Sequence, residues 1–139
     1  MINASLKNYR QSPRKMRVVA NLIKGKSVNV ALDTLAFINK RAGSPLYNLL
    51  KSAAANAKNN FNIEKDSLIV KDVRVDSGLI LKRSMPRARG MAYRINKRTS
   101  HVNITLAPKS ESTKKSEKVG SSKSIKLNKK KEEVNKEQK

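Results

Sequence analysis

The stretch that decides the fold is residues 67–107, SLIVKDVRVDSGLILKRSMPRARGMAYRINKRTSHVNITLA. Its first ten residues are rich in β-branched side chains and alternate from Lys71 onward, and the alternation returns over 102–106. Such patterns are typical of strands. Residues 78–100 contain no helix signal and no acidic side chain. The sequence therefore predicts one long β-hairpin with its turn near 86–90.

The outer half of this hairpin, about residues 78–98, is expected to project from the body. An arm of about fifteen residues extends roughly 50 Å, whereas a domain of about a hundred residues has a radius of gyration of about 13 Å. Seven basic residues lie in this half: Lys82, Arg83, Arg87, Arg89, Arg94, Lys97 and Arg98. With these charges the ribbon is expected to have no continuous apolar face to bury. Because an isolated two-stranded ribbon is only marginally stable, we expect an external polyanion to order it.

Three upstream segments have the apolar spacing of helices. The predicted helices cover 13–24, 28–38 and 45–59. Ser12-Pro13 and Ser44-Pro45 predict an N-cap followed by a first-turn proline, and Gly25 predicts the end of the first helix. Alanine is abundant on the apolar stripe of the third segment, which indicates close helix packing.

The composition divides the chain after Pro108. Residues 109–139 hold eleven Lys, five Glu, few apolar side chains and none of the ten Arg. Such a segment cannot offset its ordering entropy and is expected to be disordered. We predict an α+β domain over 1–108, with a short N-terminal strand at 4–8, three helices on a small antiparallel sheet, a long protruding hairpin, and a low-complexity basic tail over 109–139.

Charge and residue content limit the function classes. The 139 residues carry a net charge of +22, with no Cys and one His. Self-repulsion of that size calls for a polyanionic partner, of which nucleic acid is the commonest. Disulfides and thiolate metal sites are excluded. No apolar run or signal peptide predicts membrane association. We therefore expect an intracellular protein that is not an enzyme and has no catalytic, cofactor or metal site.

Two basic segments are the candidate nucleic-acid contacts. The first precedes Asp33, the first acidic residue, and consists of Lys7, Arg10, Arg14, Lys15, Arg17, Lys24 and Lys26. Solvated helix faces usually mix signs, so the lack of acids favours phosphate binding. Within this segment Arg10, Arg14 and Arg17 have i, i+4, i+7 spacing, which predicts one basic ridge if the turn before Pro13 keeps them aligned.

The second candidate segment is the hairpin. Its contacts are Lys82, Arg83, Arg87, Arg89, Tyr93, Arg94, Lys97, Arg98 and His101. Small residues and Pro86 favour a shaped tip over a disordered basic loop. Tyr93 either stacks on a base or packs on its own ribbon. His101 lacks a metal-ligand or nucleophile partner, so a hydrogen-bonding or RNA-contacting role is expected.

Two other function classes compete with RNA binding. A DNA-binding architectural protein would use the hairpin as a groove-binding arm, but it needs an apolar wedge, for which Pro86 is weak, and usually a dimer seam. An RNA-modifying enzyme needs a cofactor loop or a nucleophile, and the sequence has neither.

Five segments resemble the family of the bacterial large-subunit ribosomal protein number twenty-two. They are SPRKMRVVANLIKGK (12–26), VALDTL (30–35), LKSAAANA (50–57), KRSMPRARG (82–90) and RINKRTSH (94–101). The similarity is collinear over about residues 3–108. Ser84 stands where the family has a larger apolar residue, and the tail is not part of the family pattern.

The resemblance implies a structural protein of the large ribosomal subunit, in the cytoplasm, with bacterium and organelle both open as its source. It implies binding to large-subunit (23S-type) ribosomal RNA, support of subunit assembly, and a position beside other proteins around the exit tunnel, as a monomer within the ribosome. It also implies that the hairpin lines the tunnel near its constriction, where nascent chains pass and macrolides bind. The implied tip is Met85, Pro86, Arg87, Ala88, Arg89 and Gly90.

Overall fold

The three helices pack on one side of a three-stranded sheet, which confirms the predicted α+β class. The structure is a computed structural model and describes residues 2–109. The predicted disordered tail, Lys109 apart, lies outside the described residues. The elements are β1 (Ile2–Tyr9), α1 (Pro13–Ile23), α2 (Val28–Phe37), α3 (Gly43–Phe61), β2 (Leu68–Pro86) and β3 (Ala92–Pro108), with short 3-10 helices at Lys65–Ser67 and Ala88–Gly90.

The sheet has the order β1-β3-β2 and is antiparallel throughout. Ile2 pairs with Leu106 on one edge, and Val75 pairs with Val102 on the other. The antiparallel pairing of β2 with β3 extends, with two register shifts, to Pro86 and Ala92 at the hairpin turn. The long hairpin predicted from the sequence is therefore confirmed, and β3 is the central strand.

The core lies between the helices and the sheet. It contains Met16, Val19 and Ile23 from α1, the Ala and Leu stripe of α3, and alternate residues of all three strands. Ala53, Ala54 and Ala57 are fully buried, which allows α3 to approach the sheet closely. Burial of this apolar surface is the main force that stabilises the body, and it fixes the sheet from which the ribbon extends.

The helix ends follow the expected signals in part. Gly25 has φ +79°, which closes α1 as expected, and its N–H donates to Val70 O at 2.9 Å. Asn62, with φ 52°, ends α3 in the left-handed conformation. Ser12 is the N-cap of α1, but its side chain makes no capping hydrogen bond.

The start of α3 corrects the prediction from Ser44-Pro45. The helix begins at Gly43, after Ala42 in helical conformation, so Pro45 is its third residue. Proline is accepted there because the first-turn N–H groups have no partner within the helix. A Cβ on Gly43 would lie 3.2 Å from Leu35 O. The missing side chain therefore lets α3 start against the end of α2.

The ribbon leaves the body after Ser77. From Leu79 to Arg98 every residue is exposed except half-buried Leu81. The seven residues of each outer arm, 80–86 and 92–98, span roughly 23 Å. Among residues 2–109, no helix is long and apolar enough to cross a membrane.

Candidate nucleic-acid interface

A basic groove opens where the bend after β1, the α2–α3 loop and the outer part of β3 meet. Its volume is about 1090 Å³. Six of the described residues that line it are basic and none is acidic: Arg10, Lys15, Lys40, Arg41, Lys97 and Arg98. A concave surface lined by one sign of charge concentrates counter-ions. We call this surface the basic groove.

The bend after β1 brings Arg10 to the groove. Tyr9 pairs with Ser100, so β1 ends beside the base of the ribbon. The Gln11 N–H donates to Tyr9 O at 2.8 Å, and α1 starts two residues later at Pro13. This tight turn leaves Arg10 exposed between the strand and the helix.

The α2–α3 loop supplies two further cations. The Lys40 N–H donates to Ile38 O and the Gly43 N–H donates to Lys40 O, both at 2.8 Å. Ala42 is buried at 1% exposure, whereas Lys40 and Arg41 are exposed. Burial of the alanine therefore orients the loop with its two charges outward.

The groove unites residues from both predicted basic segments with two that the sequence analysis missed. Arg10 and Lys15 come from the first segment, and Lys97 and Arg98 come from the hairpin. Lys40 and Arg41 were not among the candidates. Their signal was two adjacent cations in a short connection between helices, where a side chain rarely has a packing role.

Arg17 does not extend the predicted ridge. Its Nε and Nη2 donate to Val75 O at 3.1 and 2.9 Å, which ties α1 to β2. Arg10 lies before the helix, so the i, i+4, i+7 spacing with Arg14 does not apply to it. The condition for one ridge is therefore not met: Arg10 lines the basic groove, Arg14 is exposed on α1, and Arg17, also exposed, uses part of its guanidinium within the protein.

Lys24 also has a partner within the protein. Its Nζ lies 2.7 Å from Asp72 Oδ1. The hydrogen bond from Lys24, together with its positive charge, holds the pKa of the Asp72 carboxyl below its ordinary value. Of the other candidates in the first segment, Lys7 is exposed and Lys26 is half-buried beside β2, where its carbonyl accepts the Val70 N–H.

The hairpin tip is a shaped turn. The Arg87 N–H donates to Met91 O at 2.8 Å, and Arg89 and Gly90 have φ values of 59° and 69°. Every residue from Lys82 to Arg98 is exposed, including all the candidate contacts of the ribbon. The tip is therefore a defined, fully accessible basic loop.

The two ring side chains of the hairpin have different surroundings. Tyr93 is 60% exposed, so packing on its own ribbon covers less than half of it. His101 lies in the body, where its Nδ1 accepts the Asn8 N–H at 3.1 Å. A Cβ on Gly78 would lie 3.0 Å from His101 Nε2. Of the two roles expected for His101, the structure shows the hydrogen bond, and the RNA contact stays a prediction.

The remaining acidic residues give no catalytic arrangement. Arg74 Nε lies 3.0 Å from Asp76, and the Asn29 amide donates to Asp66 at 2.6 Å. Within 2–109, no three His, Asp or Glu side chains are placed to hold a metal ion. The distinguishing chemistry of the described residues is a cationic surface over the basic groove and the ribbon.

This combination of a small α+β body, a cationic groove and a long basic ribbon is typical of structural proteins that bind polyanions. The sequence profile of the family described as ribosomal protein L22p/L17e matches residues 4–107. The chain belongs to this family, and its members are structural components of the ribosome, so the expectation that it is not an enzyme is confirmed.

Individual relatives support the assignment over nearly their whole length. A protein of Mycoplasma capricolum subsp. capricolum, named large ribosomal subunit protein uL22, is 53% identical over 104 residues, which cover 75% of this chain and 94% of the relative. Proteins of the same name from Herpetosiphon aurantiacus and Bdellovibrio bacteriovorus are 46% and 45% identical, and the matches cover 91% and 98% of their lengths. The matched regions cover 74% and 78% of this chain.

Proposed function

We propose that this chain binds large-subunit ribosomal RNA through the basic groove and the basic side chains of the ribbon. As a family member with relatives named for the large subunit, it is a structural constituent of the large ribosomal subunit in the cytoplasm. The observation that carries the RNA proposal is the groove, in which six cations from three separate parts of the chain converge without a carboxylate.

Electrostatics supports phosphate as the ligand of the groove. Bringing six like charges together costs free energy unless an anion neutralises them. A phosphodiester backbone presents evenly spaced negative charges and releases counter-ions when Lys and Arg bind it. Arg10, Arg41 and Arg98 offer planar forks that match phosphate oxygens, and Lys15, Lys40 and Lys97 add point charges.

The other predicted contact residues divide into those that contact RNA and those that mainly stabilise the protein. Lys7, Arg14, Lys26, Lys82, Arg83, Arg87, Arg89, Tyr93 and Arg94 contact the RNA around the groove and along the ribbon. Arg17 and Lys24 contribute chiefly to the body, because each has a partner within the protein. His101 braces the base of the ribbon through Asn8.

The projecting ribbon carries the remaining part of the proposal. Its tip, residues 85–90, lines the polypeptide exit tunnel near the constriction, beside the nascent chain, while the body contacts RNA and neighbouring large-subunit proteins as a monomer. An accessible arm of roughly 23 Å suits this role. The RNA contacts of the body support subunit assembly.

The test is the salt dependence of binding between the full chain and a large-subunit ribosomal RNA transcript. Each neutralised phosphate contributes about −0.7 for single strands and about −0.9 for duplex to the log–log slope. We expect a slope steeper than about −4 for the wild type. The double variant Lys40→Gln, Arg41→Gln should make the slope shallower by about 1.4–1.8, because two phosphate contacts are lost.

A matched double variant controls for the loss of charge alone. Lys51→Gln with Lys58→Gln removes two exposed cations from α3, outside the groove, and should change the slope by less than half as much. Equal effects of the two double variants would contradict the groove as the binding surface. A wild-type slope near −1, or equal affinity for double-stranded DNA of the same length, would contradict the RNA proposal as a whole.

A further inference from the structure

The outer ribbon has two faces of different chemistry. Residues paired across an antiparallel ladder project to the same face, and successive residues alternate between faces. The first face carries the pairs Leu81–Lys97, Arg83–Ile95 and Met85–Tyr93. The second face carries the pairs Ile80–Arg98, Lys82–Asn96, Ser84–Arg94 and Pro86–Ala92, so that its charged side chains are all basic. We call them the apolar face and the basic face of the ribbon.

The apolar face corrects the expectation that the ribbon has no continuous apolar surface. This face carries four apolar side chains, Leu81, Met85, Tyr93 and Ile95, and two basic ones, Arg83 and Lys97. Three of the apolar side chains are exposed: Met85 at 47%, Tyr93 at 60% and Ile95 at 37%. The basic face continues into the basic groove through Asn96 and Arg98, and Lys97, at the body end of the apolar face, lines the same groove. The two faces therefore present different surfaces to a partner.

A bulge in β2 creates this arrangement. Ser77 pairs with Ser100, but the next paired residue of β2 is Ile80, opposite Arg98, so β2 carries one more residue than β3 between these pairs. Because of the extra residue, the side chains of β2 that follow the bulge project to the opposite face from the one that the alternation before it would give. As a result Leu81 and Met85 lie on the same face as Ile95 and Tyr93, away from the side on which Val75 and Val102 meet the helices.

We propose that the apolar face of the ribbon binds unpaired nucleobases, with Tyr93 as the stacking surface, while phosphates lie against Arg83 and Lys97 on that face and along the basic face. This inference rests on the proposed function, since it assigns a ligand chemistry to each side of an RNA-bound ribbon. Aromatic rings in single-stranded RNA sites stack on bases of any identity, because every base has a π-face.

Charge complementarity favours bases over an apolar protein surface as the occupant. Arg83 lies directly opposite Ile95, and Lys97 lies opposite Leu81, so both cations share the face with the apolar band. A protein surface of matching hydrophobicity would bury these charges without partners, which is costly. A nucleotide supplies an apolar base plane and an adjacent phosphate, so it satisfies the ring and the cation together.

Tryptophan fluorescence gives a direct test, since the chain contains no Trp. The full-length Tyr93→Trp variant places a single probe on the apolar face. The full-length Ser84→Trp variant places the same probe on the basic face at nearly the same distance from the tip, without removing a charge. Each is titrated with the large-subunit ribosomal RNA transcript while binding is followed separately by filter retention.

We expect both variants to bind, with fluorescence of the Tyr93→Trp variant quenched at least twice as much as that of Ser84→Trp, because stacking brings the indole against a base. Binding with equal quenching, or with greater quenching for Ser84→Trp, would overturn the inference and leave the proposed function intact. Failure of the wild type to bind the transcript would overturn both. Quenching of the Tyr93→Trp variant only in whole subunits, and not on the transcript, would assign the face to a protein partner instead.

A conservative pair tests the same point by affinity. Tyr93→Phe keeps the ring, whereas Tyr93→Leu keeps apolar bulk without a π-face. We expect the Phe variant to bind the transcript as the wild type does and the Leu variant to bind about tenfold more weakly. Equal affinities of the two variants would show that no base stacks on residue 93.

Discussion

Arg14 and Arg17 lie on the same helix, but only Arg17 has a structural role in the body. Both side chains are exposed, but Arg17 also donates two hydrogen bonds to Val75 O. We expect Arg17→Ala to lower the free energy of unfolding by about 1–2 kcal/mol, because a charged donor is lost and a strand carbonyl loses its partner. Arg14→Ala should change it by less than about 0.5 kcal/mol. Urea unfolding of both variants is the measurement, and equal losses would contradict the assignment.

Gly78 is required by the space around it rather than by its backbone angles. A Cβ there would lie 2.5 Å from Thr99 Oγ1, whose hydroxyl donates to Leu79 O. We expect Gly78→Ala to destabilise the protein by about 1–3 kcal/mol through overpacking at the base of the ribbon. Ser77→Ala, one residue away and exposed, is the control and should be near neutral. Thermal unfolding distinguishes them, and a neutral Gly78→Ala would refute the packing argument.

Asp72 gives the body a small pH dependence. Its pKa is lowered by the hydrogen bond and charge of Lys24, so the carboxylate is favoured in the folded state. The resulting stability is present above the ordinary carboxyl pKa, 3.8, and is lost as the pH falls through the lowered folded value. We expect Asp72→Asn to be slightly less stable than the wild type at pH 7, with a difference that shrinks as the pH falls below 3.8. A stability difference that does not shrink at acidic pH would argue against the ion pair as its cause.

Individual positions show where sequence reasoning about the site reached its limit. The sign of charge identified Arg10, Lys15, Lys97 and Arg98 correctly as surface cations. It could not show that Arg17 reaches Val75, 58 residues away, because that contact depends on how α1 crosses β2. Lys40 and Arg41 were missed for the same reason, since a loop between helices has no periodicity that places it beside β3.

Among the elements, the long hairpin and the three helices were predictable because each has a strong local signal. Alternation identified both strands, and apolar spacing identified each helix to within two residues at each end. Which side chains of the ribbon share a face was not predictable. It depends on the bulge between Ser77 and Ile80, which the sequence marks only by Gly78 and which fixes the register through contacts with the other strand.

Shortening the ribbon tests its role separately from that of the body. Residues 85–89 are exposed and lie outside the core. We expect deletion of Met85–Arg89 to leave folding and large-subunit assembly nearly intact and to alter macrolide susceptibility or nascent-chain stalling. The measurements are the ribosome profile and drug sensitivity of cells that carry only the deleted form.

A tip of full length without its charges is the matched control for this deletion. Arg87→Gln with Arg89→Gln keeps the turn, so it separates the effect of length from that of charge. Collapse of subunit assembly on deletion would show that the tip is needed for RNA folding. Unchanged drug response together with unchanged stalling would count against a place in the tunnel.

Across the whole molecule, charge is divided unequally between the body, the ribbon and the tail. The five acidic residues before the tail all lie between positions 33 and 76, so the outer ribbon has none. The tail contributes +6 of the +22, all of it from Lys and Glu. Arginine, which makes the directional phosphate contacts, is confined to residues 10–98.

Removal of the tail should therefore leave incorporation into the large subunit nearly unchanged. The truncated chain ends at Pro108, the last residue of β3, and keeps the basic groove and the ribbon. Sucrose-gradient analysis of cells that express the truncated form is the measurement, and a second truncation that keeps Lys109 controls for damage to the strand end. Loss of incorporation in both truncations would show that the tail binds the subunit.

The position of β3 at the centre of the sheet has a consequence for synthesis. Both β1 and β2 pair with β3, yet β3 is the last of the three to leave the ribosome that makes it. Until Pro108 has emerged, β1 and β2 lack the strand that joins them, so the sheet that covers the apolar faces of the helices is incomplete. Completion of the body is thus a late step that follows translation of the hairpin turn. A chain released early at that turn carries helices without a sheet and exposes its apolar surfaces to aggregation.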